Sequence, residues 1–325
     1  MTKVKQANFT FPIQILPEIL ECFAKDSTTL YTLLFVNHEF CDAAIQILWR
    51  DPFGIMEPWK TSDRSKMIEF FKICFDGLSK NDLAVIESCS FEIPRIEKEP
   101  YVSYISFMQV FDHNDVVRAL LVYFQSTRTD PKFLSFYILK QFFRYSIKIR
   151  KVTIYYYDIV LRSMPDIGPW FEQISQRHQK IEKLQISEAA NLNGSQGTVR
   201  FLEFWSGVVK LINSQRKLQE IDIFGVHQGI EYIFEFLQRE HSTLSKIRFD
   251  SCGIPNEKLA EISNWKILGQ LTELCFSDCV VVAPSELPKF TVRQLDLTCL
   301  PFLKTKMTLK SSLKESNCNL QFSSL

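Results

Sequence analysis

Residues 244–279, LSKIRFDSCGIPNEKLAEISNWKILGQLTELCFSDC, decide the fold because they contain one short pattern twice. The segments 244–249 (LSKIRF) and 271–276 (LTELCF) share the spacing apolar-x-x-apolar-x-apolar, and the second follows the first by 27 residues. In both copies a cysteine, Cys252 or Cys279, stands three residues after the last apolar position. Recurrence at such a period is typical of a chain built from similar stacked units.

The same pattern occurs at four other places in the chain. These are Ile149-Val152-Ile154, Ile181-Leu184-Ile186, Leu218-Ile221-Ile223 and Val292-Leu295-Leu297. The middle residues of the six copies stand at positions 152, 184, 221, 247, 274 and 295, so the successive gaps are 32, 37, 26, 27 and 21 residues. We therefore expect a repeat region over residues 149–325, with its more regular units on the C-terminal side.

Each copy predicts a short strand with one buried face, and the residues between copies predict a helix that covers it. Apolar stripes at helical spacing mark candidate helices over 198–213, 229–240 and 256–268. One such unit cannot bury both of its layers, so neighbouring units must stack into a curved solenoid. The predicted fold class is thus a mixed α+β or α/β solenoid. A plain α/β domain with irregular strands is the alternative that the two long gaps would allow.

The side chains that alternate with the buried strand positions are expected to face outward together. The candidates for binding a protein target are Lys183, Gln185, Asp222, Phe224, Lys246, Arg248, Asp250, Glu273 and Asp296. Their mixed charge suits a polypeptide partner better than a polyanion. The alternative is that they are only the solvated positions of an open strand face.

The N-terminal residues 16–50, LPEILECFAKDSTTLYTLLFVNHEFCDAAIQILWR, predict a small module of helices. Two apolar stripes at helical spacing run through it, Pro17 suits a first helical turn, and residues 25–28 (KDST) supply capping side chains between the helices. A helical hairpin of this size cannot cover both of its faces, which predicts that a partner does so. The alternative is that these are the first helices of an ordinary core.

The module resembles the F-box, whose pattern is a Leu-Pro start, an apolar helix, a charged break, a Leu-Leu-x-Val helix and a terminal Leu-Trp. Phe40 stands where members of that family usually carry Trp, so the ring is kept and the indole N–H is lost. The resemblance implies that the module binds a Skp1-type adaptor. The positions that would make this contact are Leu16, Pro17, Ile19, Leu20, Phe23, Leu33, Leu34, Val36, Phe40 and Trp49.

The repeats in turn resemble leucine-rich repeats, whose Asn/Cys position matches Cys252 and Cys279. Between the two regions, residues 65–78, 114–126 and 132–146 carry helical stripes rich in aromatic side chains. We expect them to form a packed helical connector. The predicted domains are therefore 8–53 for the F-box-like module, 54–148 for the connector and 149–325 for the repeats.

Composition argues against several classes of function. With 38 Lys and Arg against 37 Asp and Glu, the formal net charge is +1, so nothing recommends nucleic acid or an anionic membrane as a partner. The start of the sequence lacks a secretory signal, and no run of apolar residues is long enough to span a bilayer. These features predict a cytoplasmic or nuclear protein, or one found in both compartments.

The sequence gives no sign of a cofactor, a metal site or catalysis. The nine cysteines form no C-x-x-C pair, and His38 with Cys41 lacks a second pair of ligands. Motifs for a nucleophile elbow, a phosphate loop, a dinucleotide site and a zinc protease are all absent. We expect a protein that is not an enzyme, with buried free cysteines and no cofactor.

Together, the two resemblances imply the substrate receptor of a Skp1-cullin-F-box (SCF) ubiquitin ligase. The N-terminal helices would bind the adaptor, and through it a cullin, while the repeat array would hold a protein target. A protein-interaction scaffold that uses the array without delivering ubiquitin is the alternative.

Overall fold

The fold is a parallel β-sheet whose strands are connected mainly by helices, preceded by a small group of helices. A computed structural model describes residues 15–56, 64–76, 78–88, 103–124, 131–156, 167–188, 198–227, 229–237, 243–254, 267, 270–277, 279–281 and 295–296. The described α-helices are α1 (Leu16–Glu21), α2 (Ser27–Leu33), α3 (His38–Leu48), α4 (Pro52–Met56), α5 (Arg64–Asp76), α6 (Lys80–Ser88), α7 (His113–Phe124), α8 (Pro131–Tyr145), α9 (Ile167–Arg177), α10 (Thr198–Ser214) and α11 (Ile230–Leu237). The described strands are β1 (Val110–Asp112), β2 (Lys151–Tyr156), β3 (Lys183–Glu188), β4 (Glu220–Phe224), β5 (Lys246–Asp250), β6 (Gly253–Ile254), β7 (Glu273–Ser277), β8 (Val280–Val281) and β9 (Leu295–Asp296).

Seven strands form one parallel sheet in the order β1-β2-β3-β4-β5-β7-β9, so each strand lies beside the strand of this sheet that precedes it in the chain. The short strands β6 and β8 pair separately, also in parallel. The middle residues of the six sequence patterns fall in a single row across the sheet. That row runs Val152, Leu184, Ile221, Ile247, Leu274 and Leu295. The predicted strands and their alignment are therefore confirmed, and the fold is a mixed helix and strand fold.

The sheet begins earlier than the sequence predicted. Strand β1 pairs with β2, with Phe111 opposite Val152, so the sheet includes residues that precede the predicted repeat boundary at residue 149. Phe111 and the preceding Met108 are buried like other pattern residues, but the third position holds His113, which is also buried. A histidine at that place breaks the apolar pattern, which is why the sequence did not reveal this strand.

One backbone contact recurs along the N-terminal ends of the strands. The carbonyl of Arg50 accepts hydrogen bonds from the N–H groups of Gln109 and Val110, and the carbonyl of Gln109 accepts from the N–H groups of Arg150 and Lys151. Four further carbonyls each accept two hydrogen bonds in the same way, from N–H groups at the start of the next strand of the sheet. They belong to Arg150, Glu182, Gln219 and Ser245. These N···O distances lie between 2.7 and 3.2 Å. The ladder therefore starts at Arg50, the last residue of the segment 16–50 that resembles the F-box.

The core divides the described residues differently from the predicted domains. One continuous cluster of buried side chains extends from Phe53 to Cys279, so the connector and the repeats share a core. A second, smaller cluster lies within α1–α3. Helices predicted over 65–78, 114–126, 132–146, 198–213 and 229–240 are confirmed as α5, α7, α8, α10 and α11. The helix predicted over 256–268 lies outside the described residues, apart from Ile267.

Candidate functional site

Local sequence signals fix the ends of the helices in the N-terminal module. Pro17 lies in the first turn of α1, as predicted. Asp26 caps α2 by accepting a hydrogen bond from the Thr29 N–H at 3.0 Å, and Asn37 caps α3 by accepting from the Phe40 N–H at 2.9 Å. Helix α3 packs against both α1 and α2. The module is therefore three short helices held around α3.

Two of the predicted adaptor contacts lie inside this module. Leu16 and Leu20 are buried in the small core, together with Leu30, Ala43, Ala44 and Ile47. The prediction that Leu16 and Leu20 contact a partner directly is therefore corrected, because both side chains face α2 and α3 from within. Leu33, Leu34 and Phe40 are partly buried and pack against the same core. Pro17 lies exposed on the surface of α1.

Trp49 belongs to the other core. Its ring stacks on Phe70 with 5.5 Å between ring centroids, and it lies 4.9 Å from the ring of Tyr104. Phe70 belongs to the large cluster and Trp49 packs against that cluster, so Trp49 joins the module to the rest of the protein. Trp49 is only partly buried, so its predicted contact with an adaptor stays a prediction beside this internal contact.

The remaining predicted positions lie on a surface rich in exposed apolar side chains. Of the large apolar side chains that are exposed among the described residues, six of eleven fall between residues 15 and 36. We call these six the module surface: Ile15, Ile19, Phe23, Tyr31, Phe35 and Val36. Water-exposed apolar groups at this density usually mark an interaction site. The sequence had identified Ile19, Phe23 and Val36, and missed the other three.

Tyr31 and Phe35 could have been recognised from their spacing. They stand four residues apart, so their rings meet on one side of the chain, with centroids 5.4 Å apart in an edge-to-face arrangement. Phe35 is 74% exposed, the most exposed large apolar side chain among the described residues. An aromatic pair that leaves so much of one ring in water offers a partner a large area to bury.

A salt bridge links two helix ends within the module. Arg50 donates two hydrogen bonds of 2.5 Å to the two carboxylate oxygens of Glu21, which links the end of α1 to the end of α3. This hydrogen bonding lowers the pKa of Glu21 and raises that of Arg50. A cleft of about 420 Å³ lies beside this pair, lined by Ala24, Lys25, Ser27, Ile47, Arg50, Asp51, Gly54 and Ile55.

The predicted target-binding residues occupy aligned positions on the strands. Lys183, Glu220, Lys246 and Glu273 stand opposite one another in one row. A second row contains Gln185, Asp222, Arg248, Cys275 and Asp296, and a third contains Ser187, Phe224, Asp250 and Ser277. We call the surface formed by these three rows the strand face. Asp222 was expected to face outward with the other candidates, but its side chain is buried beneath its neighbours. That these residues bind a target stays a prediction.

Most charges on the strand face pair with one another across neighbouring strands. Lys183 Nζ lies 2.7 Å from Glu220 Oε1 and 2.6 Å from Asp222 Oδ2. Arg248 Nε lies 2.6 Å from Glu273 Oε1, and its Nη1 lies 3.6 Å from Glu220. These cross-strand pairs stabilise the sheet. These pairs could not be predicted from the sequence directly, because they depend on the register between strands.

The pairing shows in the pKa values of these groups. Burial acts to lower the pKa of Lys183, but its hydrogen bonds to Asp222 and Glu220 outweigh this and raise it. The hydrogen bond with Glu273 raises the pKa of Arg248, and the same bond lowers that of Glu273. All three groups therefore stay charged across the physiological pH range.

An acidic group that the sequence missed lies at the β1 end of the sheet. Burial raises the pKa of Asp51 and of Asp112. Burial and the nearby charges of Asp112 and Asp51 raise the pKa of Asp115 to about 6. Lys151 partly offsets these charges. Asp112 also caps α7, since it accepts hydrogen bonds from the N–H groups of Asn114 and Asp115.

The two repeat cysteines make equivalent contacts in successive units. Cys252 Sγ lies 3.4 Å from the carbonyl oxygen of Ile223 in β4, and Cys279 Sγ lies 3.5 Å from that of Phe249 in β5. Each sulfur thus lies against a backbone carbonyl of the preceding strand. The hydrogen bond with Cys279, together with burial, raises the pKa of Cys252. Within the described ranges, no group of three or more His, Cys, Asp or Glu side chains is arranged to hold a metal.

Two further findings bear on the class of protein. In the part of the chain that the structure describes, no helix has the length and apolar character needed to cross a membrane. No family model matches this chain, and a search of curated proteins found no match.

Proposed function

We propose that this chain is the substrate-recognition subunit of an SCF ubiquitin ligase, in which α1–α3 bind a Skp1-type adaptor. The observation that carries this proposal is the module surface, where six apolar side chains are exposed on or beside α1 and α2, in a module that has a core of its own. A surface of this kind on so small a unit favours a protein partner. The resemblance of residues 16–50 to the F-box then names the partner.

The second part of the proposal is that the sheet is a leucine-rich-repeat-like solenoid that binds the protein target on its strand face. Three observations favour stacked units over an irregular α/β domain. The strands follow one another in chain order, the backbone ladder repeats once in each unit, and the thiols of Cys252 and Cys279 make equivalent contacts in successive units. Each unit then contacts mainly its neighbours.

In the proposed mechanism the chain contributes geometry, and other subunits carry out the transfer of ubiquitin. A cullin bound through the adaptor brings a charged ubiquitin-conjugating enzyme near the target that the strand face holds. The chain raises the effective concentration of a target lysine near that enzyme, which requires no catalytic side chain here. On this proposal the protein acts in the cytosol, the nucleus or both.

The test is co-purification of the full chain with a Skp1-type adaptor, using two variants matched in exposure. Phe35→Ser removes the most exposed apolar side chain of the module surface. Ile147→Ser is the control, because Ile147 is 73% exposed and lies outside the module, between α8 and β2. We expect the wild-type chain and the control variant to retain the adaptor, and Phe35→Ser to lose most of it.

Two results would overturn the assignment. If the folded wild-type chain retains no adaptor, the F-box interpretation is wrong. If both variants retain the adaptor equally, the module surface is not the contact. Probing the same samples for a cullin addresses the scaffold alternative. Adaptor without cullin would favour a scaffold that works with the adaptor alone.

A further inference from the structure

The charged side chains of the strand face differ in how far they reach into solvent. The side chains of Lys246 and Arg248 are 43% and 40% exposed, whereas that of Asp222 is 4% exposed. The side chains of Glu220 and Glu273 also lie deeper than these two cations. Lys246 and Arg248 therefore lie nearer the solvent than the carboxylates that pair with them. An approaching partner meets the cations first.

Both cations retain hydrogen-bond donors for a further acceptor. Lys246 Nζ lies 3.6 Å from Glu273 Oε2, which is longer than a direct hydrogen bond. Arg248 directs Nε to Glu273, and its Nη1 lies 3.6 Å from the nearest oxygen of Glu220. An ammonium group carries three donors and a guanidinium carries five. The carboxylates of Glu220 and Glu273 therefore position these two groups without occupying all of their hydrogen-bond donors.

The spacing of the two cations suits one kind of ligand. Lys246 and Arg248 stand two residues apart on β5, so they face the same side at a separation of about 6.6 Å along the strand. Side chains at positions i and i+2 of an extended peptide have the same separation. Two acidic side chains with one residue between them would therefore each meet one cation.

Carboxylates limit where such a ligand can lie. Asp250 follows Arg248 on the same face of β5, so a third acidic side chain in line would be repelled. At the β1 end of the sheet, the negative charges of Asp51 and Asp112 act on Asp115, and Arg118 and Lys151 offset them only in part. An acidic segment is therefore favoured beside β5 and disfavoured beside β1.

From this arrangement we propose that the strand face binds an extended polypeptide segment carrying two oxyanion side chains at positions i and i+2, one at Lys246 and one at Arg248. This inference rests on the proposed function, because it names the chemistry of the target. Carboxylates of Asp or Glu and phosphates on Ser or Thr share the required oxyanion. The experiment separates these two sources.

The probes are fluorescein-labelled nonapeptides of Gly and Ser, measured by fluorescence anisotropy with the full chain at low salt. The central residues are Glu-Ser-Glu, Gln-Ser-Gln, Lys-Ser-Lys or phosphoserine-Gly-phosphoserine. We expect the Glu peptide to bind about fivefold more tightly than the Gln peptide, since two exposed ion pairs contribute modestly. The phosphoserine peptide, with more charge, reveals whether phosphate is the preferred source.

Matched variants locate the binding. Lys246→Gln should remove most of the preference for Glu over Gln, because it takes away one of the two contacts. Lys210→Gln is the control, since Lys210 lies exposed on α10 and belongs to no strand. An unchanged thermal midpoint shows that each variant is folded. Preference for the Lys peptide, or a Glu preference that survives Lys246→Gln, would overturn the proposal.

The same preparations are tested for the Skp1-type adaptor, so that the two proposals fail separately. Adaptor retained with no preference for either acidic peptide would overturn this inference and leave the proposed function standing. An acidic preference that depends on Lys246, in a chain that binds no adaptor, would overturn the ligase function and support the ligand class.

Discussion

Replacing His113 with Leu should make the protein resist acid better. His113 follows β1 and is buried at a position that other strands fill with Ile or Phe. Burial lowers the pKa of His113 from 6.5 to about 4. The neutral ring therefore fits the core, and the protonated ring does not.

The size of the effect follows from that difference in pKa. As pH falls below 6.5, His113 becomes protonated in the unfolded chain, whereas in the folded chain it stays neutral until about pH 4. The unfolded state binds more protons in this window, so stability decreases as pH decreases. The pKa difference of about 2.5 units corresponds to about 3 kcal/mol of lost stability. At pH 7 and above, His113 causes no such loss of stability.

The assay is denaturant unfolding followed by circular dichroism at pH 7, 6, 5 and 4. The free energy of unfolding should fall less steeply in His113→Leu, with the gap between variant and wild type widening by about 3 kcal/mol from pH 7 to pH 4. Carboxylates titrate in both proteins and cancel in this comparison. His38→Gln, at the exposed start of α3, is the control and should track the wild type. If the difference in free energy of unfolding between the variant and the wild type stays constant across the pH range, His113 is not buried and β1 is not packed as described.

Two further predictions concern packing. Leu30→Ala should destabilise the module by about 2–5 kcal/mol, because Leu30 is fully buried in the small core. Adaptor co-purification should therefore fall. The main thermal transition should be retained, because it belongs to the separate large core. Gly229→Ala should cost about 2–4 kcal/mol, because Gly229 has φ +80° and an added Cβ would overlap the Trp205 ring. Gly168→Ala is its control, since nothing lies within 4 Å of that position; equal thermal midpoints for the two variants would contradict the packing at Trp205.

The strands were predictable because their pattern is local. Apolar residues at fixed spacing mark the buried row, and alternation then assigns residues such as Lys246 and Arg248 to the other face. Capping by Asp26 was predictable for the same reason, since the cap and its acceptor site lie three residues apart. Features that one strand or one helix end determines by itself are visible in the sequence.

The missed features depend on contacts between distant residues. Whether Leu16 faces inward depends on where α3 lies, and the stacking of Trp49 on Phe70 depends on how the module meets the large core. The charge pairs of the strand face depend on register, which places Lys183 opposite Glu220 across 37 residues of chain. Pattern reasoning finds apolar positions and cannot tell which of two apolar faces another helix will cover.

Arg50 joins the two proposed binding surfaces through two different groups. Its carbonyl is the first acceptor of the backbone ladder, and its guanidinium holds Glu21 at the end of α1. Pivoting the module away from the sheet would break both backbone hydrogen bonds to Gln109 and Val110, each worth about 0.5–1.5 kcal/mol, and would also unstack Trp49. A mechanism based on proximity needs the two surfaces to keep a fixed separation, because the effective concentration of the target falls as the volume that it can reach grows. The backbone of one residue, continuous with the ladder, thus gives the strand face a fixed position relative to the module surface.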